Sequence, residues 1–531
     1  MGNSASLKTG NGQYWLGIEL GSTRIKCCLV DRDGQILSTG VYLWENVLVD
    51  GFWSYSLEKA VAGVGKCYLS MKRRFKEKTG LTIECLSGIG VSAMMHGLIA
   101  VDAQNDLLCP FRTWRCNNAE EEASILSSEL NFNIPARWSI AQLFYSVRRH
   151  EEFVPKIDRI FTLASYIHHR LTGAFCVGKT DASGIFPLSG DGSYDRDGIE
   201  LTEGLFRRNG CSLELKALFP PTLNPGENAG SLTEEGRLLL DPEGDLRAGV
   251  PFCPPEGDAA TGLVCTNSIK KGNGNISAGT SVFGSFVLGR NLSKVYPEID
   301  VITTPDGNPA AMIHCNNCTA GINQVMDLAE QTLSKVGVQK SKTEIFEALL
   351  QSVLDENNTL DHQVYFNFLS GENLMKVGKG AMLFASSQQG KMTIDSIVLG
   401  QLFAAFATFS LGKELLDKEN IVLDTIFAHG GVFNVEGVAG VVLASAINHE
   451  IYLNHATGEG GAWGMALLSL YSFYKDGMSL CDFLDSKAFS NHVFVVQKPN
   501  RKTRLEFLKY RKRFVDCLEA ERFLGEALEK C

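Results

Sequence analysis

Positive charge is in deficit in this 531-residue chain: 50 Lys and Arg are outweighed by 60 Asp and Glu, giving a net charge of −10. That balance argues against nucleic acid or an anionic membrane as the main partner, and leaves room only for a local basic pocket. A disulfide framework is also missing. The 15 cysteines are scattered, several in apolar contexts such as Cys27, Cys28 and Cys265, and an odd count in so long a chain fits a reduced, cytoplasmic protein. One C-x-x-C, Cys315 and Cys318 beside His314, lacks the second ligand pair of a structural metal site. No apolar run approaches roughly 18–20 residues, so no membrane span is expected, and no signal peptide is visible. The start, Met1–Ser6, matches a myristoylation pattern only loosely and reads equally well as a short polar tail. No G-x-G-x-x-G follows the first strand, which argues against a dinucleotide oxidoreductase.

What is present is an ordinary globular composition, 44% hydrophobic and 21% charged. Single cores stop growing near roughly 250–300 residues, so two domains are expected. Residues 1–12 are polar and Gly-rich and read as a loose terminus. Tyr14–Leu20, Arg24–Asp31 and Gln35–Tyr42 alternate as strands, with an Asp-Gly turn before the third, predicting an antiparallel meander. Leu57, Val61, Val64, Tyr68, Met71 and Phe75 recur at helical spacing. Cys85–Val91 reads as a buried strand leading into Ser92–Gly97. Asn118–Leu130 reads as an acidic helix, and Ile157–Gly173 as a helix stopped by glycine. Thr180–Ser189 is expected to be a turn, and residues 190–247, rich in Gly, Pro, Asp and Glu, a surface excursion.

The pattern then restarts. Ile276–Ser281 (ISAGTS) repeats the logic of Ile18–Thr23 (IELGST): an apolar strand, one small or acidic step, Gly, then two hydroxyl residues and another strand. Internal duplication is therefore expected. Helices are predicted near 321–334 and 401–418, a strand at Asp424–His429 before Gly430-Gly431, and helices at Gly437–Ile447 and Ala462–Tyr474. A charged amphipathic helix near 500–531 reads as a surface cap.

The stretch Val250–Gly262, VPFCPPEGDAATG, brings a carboxylate, Asp258, to the first turn of a helix. Taken alone, Asp258 reads most simply as an N-cap. Two Gly-hydroxyl turns, Gly21-Ser22-Thr23 and Gly279-Thr280-Ser281, offer backbone amides and hydroxyls suited to phosphate. With Gly430-Gly431 and Gly458–Gly461 they point to a nucleotide cleft in which glycine lets adenine or ribose lie on the backbone. Glu19 ends the first strand, where a carboxylate can hold Mg²⁺ through water. His96 suits either a hydrogen bond to a polyol hydroxyl or a satisfied place in the core.

Taken together, GIELGSTRIK at 17–26, SAMMHG at 92–97, LTG at 171–173, DASG at 181–184, EGDAATG at 256–262, SAGTS at 277–281, HGG at 429–431 and EGGAWGMALL at 459–468 resemble the FGGY carbohydrate kinases of the actin/Hsp70/hexokinase ATPase superfamily. The segments occur in that family's order. The resemblance implies an α/β fold of two ribonuclease H-like (actin-like ATPase) domains with an interdomain cleft. It implies ATP and Mg²⁺, with Asp258 as the base that takes the proton from the sugar hydroxyl and, with Glu19, as a metal contact. Gly21, Ser22, Thr23, Gly279, Thr280 and Ser281 would surround the phosphates, and Gly430 and Gly431 the adenosine. Met95, His96, Gly97, Trp114, Arg115 and Asp258 would line the sugar site. Expected boundaries are a flexible start at 1–12, a sugar-side domain at 13–262, an ATP-side domain at 263–490 and a helical extension at 491–531; a homodimer is compatible with the sequence.

The Met-His-Gly triplet looks most like xylulose kinases, which makes D-xylulose the first acceptor, ahead of L-ribulose and of L-fuculose, gluconate or glycerol. The chain departs from the family pattern in three places: Glu19 stands where the family has Asp, Arg115 and Cys116 replace a Trp-Asn-Asp-like contact, and the adenosine loop lacks its third glycine. A non-catalytic, actin-like ATP-binding sensor is the alternative from another class; it has no use for the two carboxylates.

Overall fold

The computed structural model describes residues 13–355, 357–435, 437–453, 460–490, 492–528 and 530. The chain divides into two compact units, one comprising Met1–Lys270, Asp300–Ala310 and Gly458–His492, the other Lys271–Ile299, Ala311–Thr457 and Val493–Cys531.

The first unit is built on β1 (Trp15–Leu20), β2 (Arg24–Val30) and β3 (Ile36–Leu43), which form the expected antiparallel meander. Helix α1 (Leu57–Thr79) starts at Ser56, whose side chain accepts from Lys59 N, and ends at Gly80 in the left-handed region. Strand β4 (Gly88–Ala93) then inserts parallel to β1, and the short β5 (Glu256–Gly257) parallel to β4. The sheet order is β5-β4-β1-β2-β3. The parallel register places Glu19, Ser92 and Glu256 in one row across the sheet. Because β1, β4 and β5 end together, the side chains of their carboxyl ends and following loops converge, the usual ligand position in an α/β sheet.

The second unit repeats this plan. Strands β6 (Asn273–Ala278) and β7 (Val282–Val287) pair antiparallel, while β9 (Thr425–His429) runs parallel to β6 and β10 (Ile451–Leu453) parallel to β9. With β8 (Pro309–Cys315) beside β7 and β11 (Val495–Gln497) beside β10, the order reads β8-β7-β6-β9-β10-β11. The duplication read from ISAGTS and IELGST is thus a duplication of topology, since β6, β7 and β9 pair as β1, β2 and β4 do.

Several expectations need correction. Ile157–Gly173 is not one helix: Arg159–Phe161 is a strand paired with Ile99–Val101, and only Leu163–Thr172 (α2) is helical. Thr162 sets that boundary by capping Ser165 N in a reciprocal capping box. Within Thr180–Ser189 the chain forms the end of a four-residue helical turn, Lys179–Ala182, rather than a plain turn. Residues 190–247 are no surface excursion. They carry helices at Arg196–Arg208, Leu215–Leu218 and Glu234–Leu240, and Ile199, Leu205, Phe206 and Phe219 join a buried cluster in which Phe206 stacks on Phe144 at 5.5 Å. Gly and Asp there mark helix ends, and the apolar residues between them set the burial.

At the carboxyl end the expected surface cap is two helices, Arg501–Asp516 and Leu518–Leu528. The first buries Phe507, Tyr510 and Phe514, and Tyr510 Oη donates to Tyr365 O at 2.6 Å. Finally, α4 (Ile394–Lys418) is long and apolar enough, by length and composition, to cross a membrane, contrary to the expectation that no such run exists. In its most apolar stretch 78% of the residues are buried inside the protein, as in a core helix.

One more helix, α5 (Gly460–Tyr474), belongs to the first unit although it lies far along the chain. It packs so closely on β1 that a Cβ on Gly17 would lie 2.1 Å from Ala462 O. Only glycine allows that contact.

Candidate active site

Helix α3 (Asp258–Cys265) follows β5 directly. Gly257, not Asp258, occupies the N-cap position and makes no side-chain cap, so the simple N-cap reading of the aspartate is replaced by another arrangement. Asp258 stands at the first helical position, where the macrodipole favours an anion, and its Oδ1 accepts from Met95 N at 3.3 Å. Its surface is open to solvent. The density of protein on its other sides strips enough solvation to raise its pKa to about 6.

The Met95-His96-Gly97 loop is held by glycines from two other motifs. A Cβ on Gly257 would lie 2.1 Å from Met95 Cγ, and one on Gly184 would lie 2.8 Å from His96 Nδ1. This accounts for the small residues in EGD and DASG. His96 and Gly97 both take positive φ, 69° and 83°; the strain falls on His96, since glycine adopts that region freely, and the pair is fixed by Gly97 N donating to Arg137 O at 2.9 Å and Ser139 Oγ donating to Gly97 O. His96 is buried, stacks on Trp138 at 5.9 Å, and is kept neutral by loss of solvation and by the nearby Arg137. Arg137 itself pairs with Asp300.

Two acids that carried no role in the sequence reading lie behind Asp258. Asp181 is fully buried; Thr162 Oγ1 donates to its Oδ2, and its backbone N donates to Glu256 Oε2 at 3.1 Å. Burial raises Asp181 to about 7, with the Asp258 charge adding to it, and raises Glu256 to about 8, with the Asp181 charge adding to it. The signal lay in the motif acids of DASG and EGD, but 75 residues separate the two, and only the fold brings them together. Arg137 had no such signal.

The remaining expected residues fall into groups. Glu19 lies where a Cβ on Gly461 would be 2.3 Å from its Oε1 and 2.8 Å from Thr261 Oγ1, one turn along α3 from Asp258. The β1–β2 turn is closed by Gly21 N donating to Arg24 O at 2.9 Å, with Ser22 and Thr23 exposed. Trp114 and Arg115 are exposed on a neighbouring loop, and the Arg115 guanidinium sits 4.0 Å over the Trp53 ring.

In the second unit the Gly279–Ser281 turn is closed by Gly279 N donating to Ser281 O at 2.9 Å, and Gly279 and Thr280 are exposed. Gly430, at φ 133°, lies against the same turn: a Cβ there would be 1.9 Å from Ala278 O. No described residue stands within 4 Å of where a side chain would project from Gly279 or Gly431. These exposed hydroxyl-bearing residues and bare backbone fit a phosphate-bearing nucleotide. The Glu19 and Asp258 carboxylates fit a hard divalent cation that draws its other ligands from phosphate and water. Gly458 and Glu459 lie outside the described residues. Cys315 and Cys318 are both buried free thiols, and no group of three or more metal-ligating side chains occurs among the described residues.

Comparison with known proteins adds two family profiles. The N-terminal domain of the FGGY family of carbohydrate kinases matches residues 14–265, and its C-terminal domain matches 274–473. Curated relatives include a xylulose kinase of Escherichia coli, 22% identical over 50% of this chain and 53% of its own length. A gluconokinase of Bacillus subtilis is 23% identical over 50% of each chain, and an autoinducer-2 kinase of Salmonella typhimurium is 21% identical over 51% of each. The chain thus spans about half the length of these relatives. Among solved structures, a gluconate kinase from Lactobacillus acidophilus superposes with TM-score 0.79 at 15% identity, covering 98% of this chain and 100% of its own. A xyloylose kinase from Brucella ovis gives 0.77 at 16%, covering 96% and 100%. At these identities the likeness is one of fold.

Proposed function

Since the chain belongs to the FGGY family of carbohydrate kinases, we propose that it transfers the γ-phosphoryl group of ATP to a hydroxyl of a ketopentose, D-xylulose first. The observation that carries this reading is the Asp258 carboxylate at the start of α3, bonded to the Met95 amide of the Met-His-Gly loop.

ATP supplies the phosphoryl group, and Mg²⁺ neutralises its charge. The protein's own part is positioning and proton transfer. Asp258, with a pKa near 6, is ionised at neutral pH and takes the proton of the acceptor hydroxyl. Such a base contributes roughly 10²–10⁴-fold. Met95, Gly97 and a neutral His96 orient the sugar, with Trp114 and Arg115 at its edge. Asp181 and Glu256 stiffen the loop carrying Asp258 from behind. Gly21, Ser22 and Thr23, and likewise Gly279, Thr280 and Ser281, would meet phosphate oxygens, Gly430 and Gly431 would face the adenosine, and Glu19 and Asp258 would hold the metal.

Relatives named for gluconate and autoinducer-2 at similar identity keep other polyhydroxylated acceptors in the test. A panel of ketopentoses, gluconate, L-fuculose and glycerol is assayed for ADP release with ATP and Mg²⁺. The reading expects the highest kcat/KM on D-xylulose. A preference for gluconate would move the substrate assignment, and no ADP above background on any acceptor would favour the sensor.

A further inference from the structure

The first unit has a second concavity at the other end of its sheet. Trp15 opens β1 in register with Gly88, which opens β4. Beside them runs Pro251–Cys253, with Ile89 N donating to Pro251 O and Cys253 N to Ile89 O, each at 3.0 Å. From Gly88 to the Ala93 end of β4, near Asp258, is about 17 Å at roughly 3.3 Å per residue, so the two places do not overlap. The last turns of α5 lie across these strand starts, and a Cβ on Gly88 would meet Ser469 Oγ at 2.7 Å. Between them lies a cavity of about 350 Å³, at the lower end of the roughly 300–1,000 Å³ typical of small-ligand pockets.

Its lining combines ring surface with hydroxyl and amide groups. Trp15 and Phe473, edge to face at 6.0 Å, provide apolar surface. Ser469, Ser472 and Asn228 provide polar groups. Ser472 Oγ is sealed from solvent and has no hydrogen-bond partner among the described residues, although a buried hydroxyl ordinarily has one. Asn228 Oδ1 is engaged by Gly230 N at 3.0 Å, which leaves the NH₂ as the donor. Among the described residues the charged liners are Lys475 and Glu227, of opposite sign, and the Lys475 charge helps hold the Glu227 carboxyl below its ordinary range after the larger effect of its Asn224 hydrogen bond. With those two charges balanced, the lining itself gives a phosphorylated ligand no net attraction, and the nearby Arg32 guanidinium is engaged over the Phe473 ring at 4.8 Å. Rings for C–H faces together with hydroxyl and amide groups suit a neutral, polyhydroxylated molecule.

We propose that this cavity is a second binding site, for an uncharged polyol of monosaccharide size, separate from the Asp258 site. The test is hydrogen–deuterium exchange of the full chain with xylitol as the probe and no ATP. Xylitol is expected to slow exchange in peptides covering 226–228 and 469–475, with or without an effect around 94–97 and 256–262. The S472L variant, which fills the cavity with a leucyl side chain, is expected to abolish the first effect and leave ADP release on the best acceptor unchanged; should it fail to fold, N228A is read in the same way. The proposal is overturned if exchange at 226–228 and 469–475 does not respond to xylitol, if the filled or truncated variant responds as the native chain does, or if inorganic phosphate protects these peptides more than xylitol. Any of these outcomes leaves the Asp258 reading untouched, because that reading is measured by turnover.

Discussion

The two units share one strand plan and differ in what they place at its end. In the first, the parallel strands β4 and β5 run into Met95 and Asp258, with Asp181 and Glu256 buried behind them. In the second, β9 runs into Gly430-Gly431, and the β6–β7 turn beside it is bare backbone and hydroxyl. The same frame thus presents ionisable carboxylates in one copy and glycine backbone with hydroxyl side chains in the other. Proton chemistry and anion binding make different demands: a base needs a tuned pKa, whereas an anion cradle needs the absence of side chains.

The largest break in that contrast comes from removing the acid. Asp258→Ala should lower kcat by roughly 10²–10⁴-fold without lowering the thermal midpoint at neutral pH, since the fold disfavours the ionised carboxylate that is removed. Near-native ADP release by a folded variant would remove the base assignment. Next is Glu19→Gln, expected to raise the Mg²⁺ concentration for half-maximal rate about tenfold with little change in sugar KM, consistent with a lost charge-assisted ligand; a Mg²⁺ titration decides it.

The glycines sharpen the comparison. Gly430→Ala sets a Cβ 1.9 Å from Ala278 O at φ 133°, and should cost about 1–3 kcal/mol and raise the ATP KM. Gly21→Ala meets nothing closer than Arg24 O at 3.3 Å and should cost under about 1 kcal/mol. Equal losses in urea unfolding would contradict the different packing of the two turns.

The smallest effect concerns pH. Glu256 is held near 8 in the fold against an ordinary 4.5. Between those values the folded state binds more proton than the unfolded chain, so its stability falls as pH rises. Glu256→Gln should therefore flatten that decline and raise the midpoint at pH 8 relative to pH 5. A parallel drop of native and variant midpoints would refute the assignment. Turnover has its own acid limb: kcat/KM should fall below pH about 6 as Asp258 is protonated.

Much of this was legible in the sequence because it is local. Alternation marked β1 to β3, and helical spacing marked α1. Gly-hydroxyl turns recurred in both copies, and the apolar step before each predicted the shared topology. What escaped depended on long-range contact. Asp181 and Glu256 acquire their meaning only from each other and from Asp258. Phe206 and Tyr510 sit in polar-looking segments, yet a few large rings at the right spacing were enough to bury the helices that carry them. Thr162 broke an expected helix because its capping bond to Ser165 outweighed the apolar pattern running through it.

Helix α5 has a consequence for synthesis. The sheet it covers starts at residue 15, but the helix itself ends at residue 474, so a nascent chain carries an uncovered glycine-bearing face until that helix has been made. From the end of the first long segment at Lys270 to that point is about 200 residues, or roughly 10–40 s at about 5–20 residues per second. During that interval the emerging first half is open to chaperones, to proteases and to wrong partners. A stop codon placed anywhere before the helix would leave that half without its cover, however intact its acids.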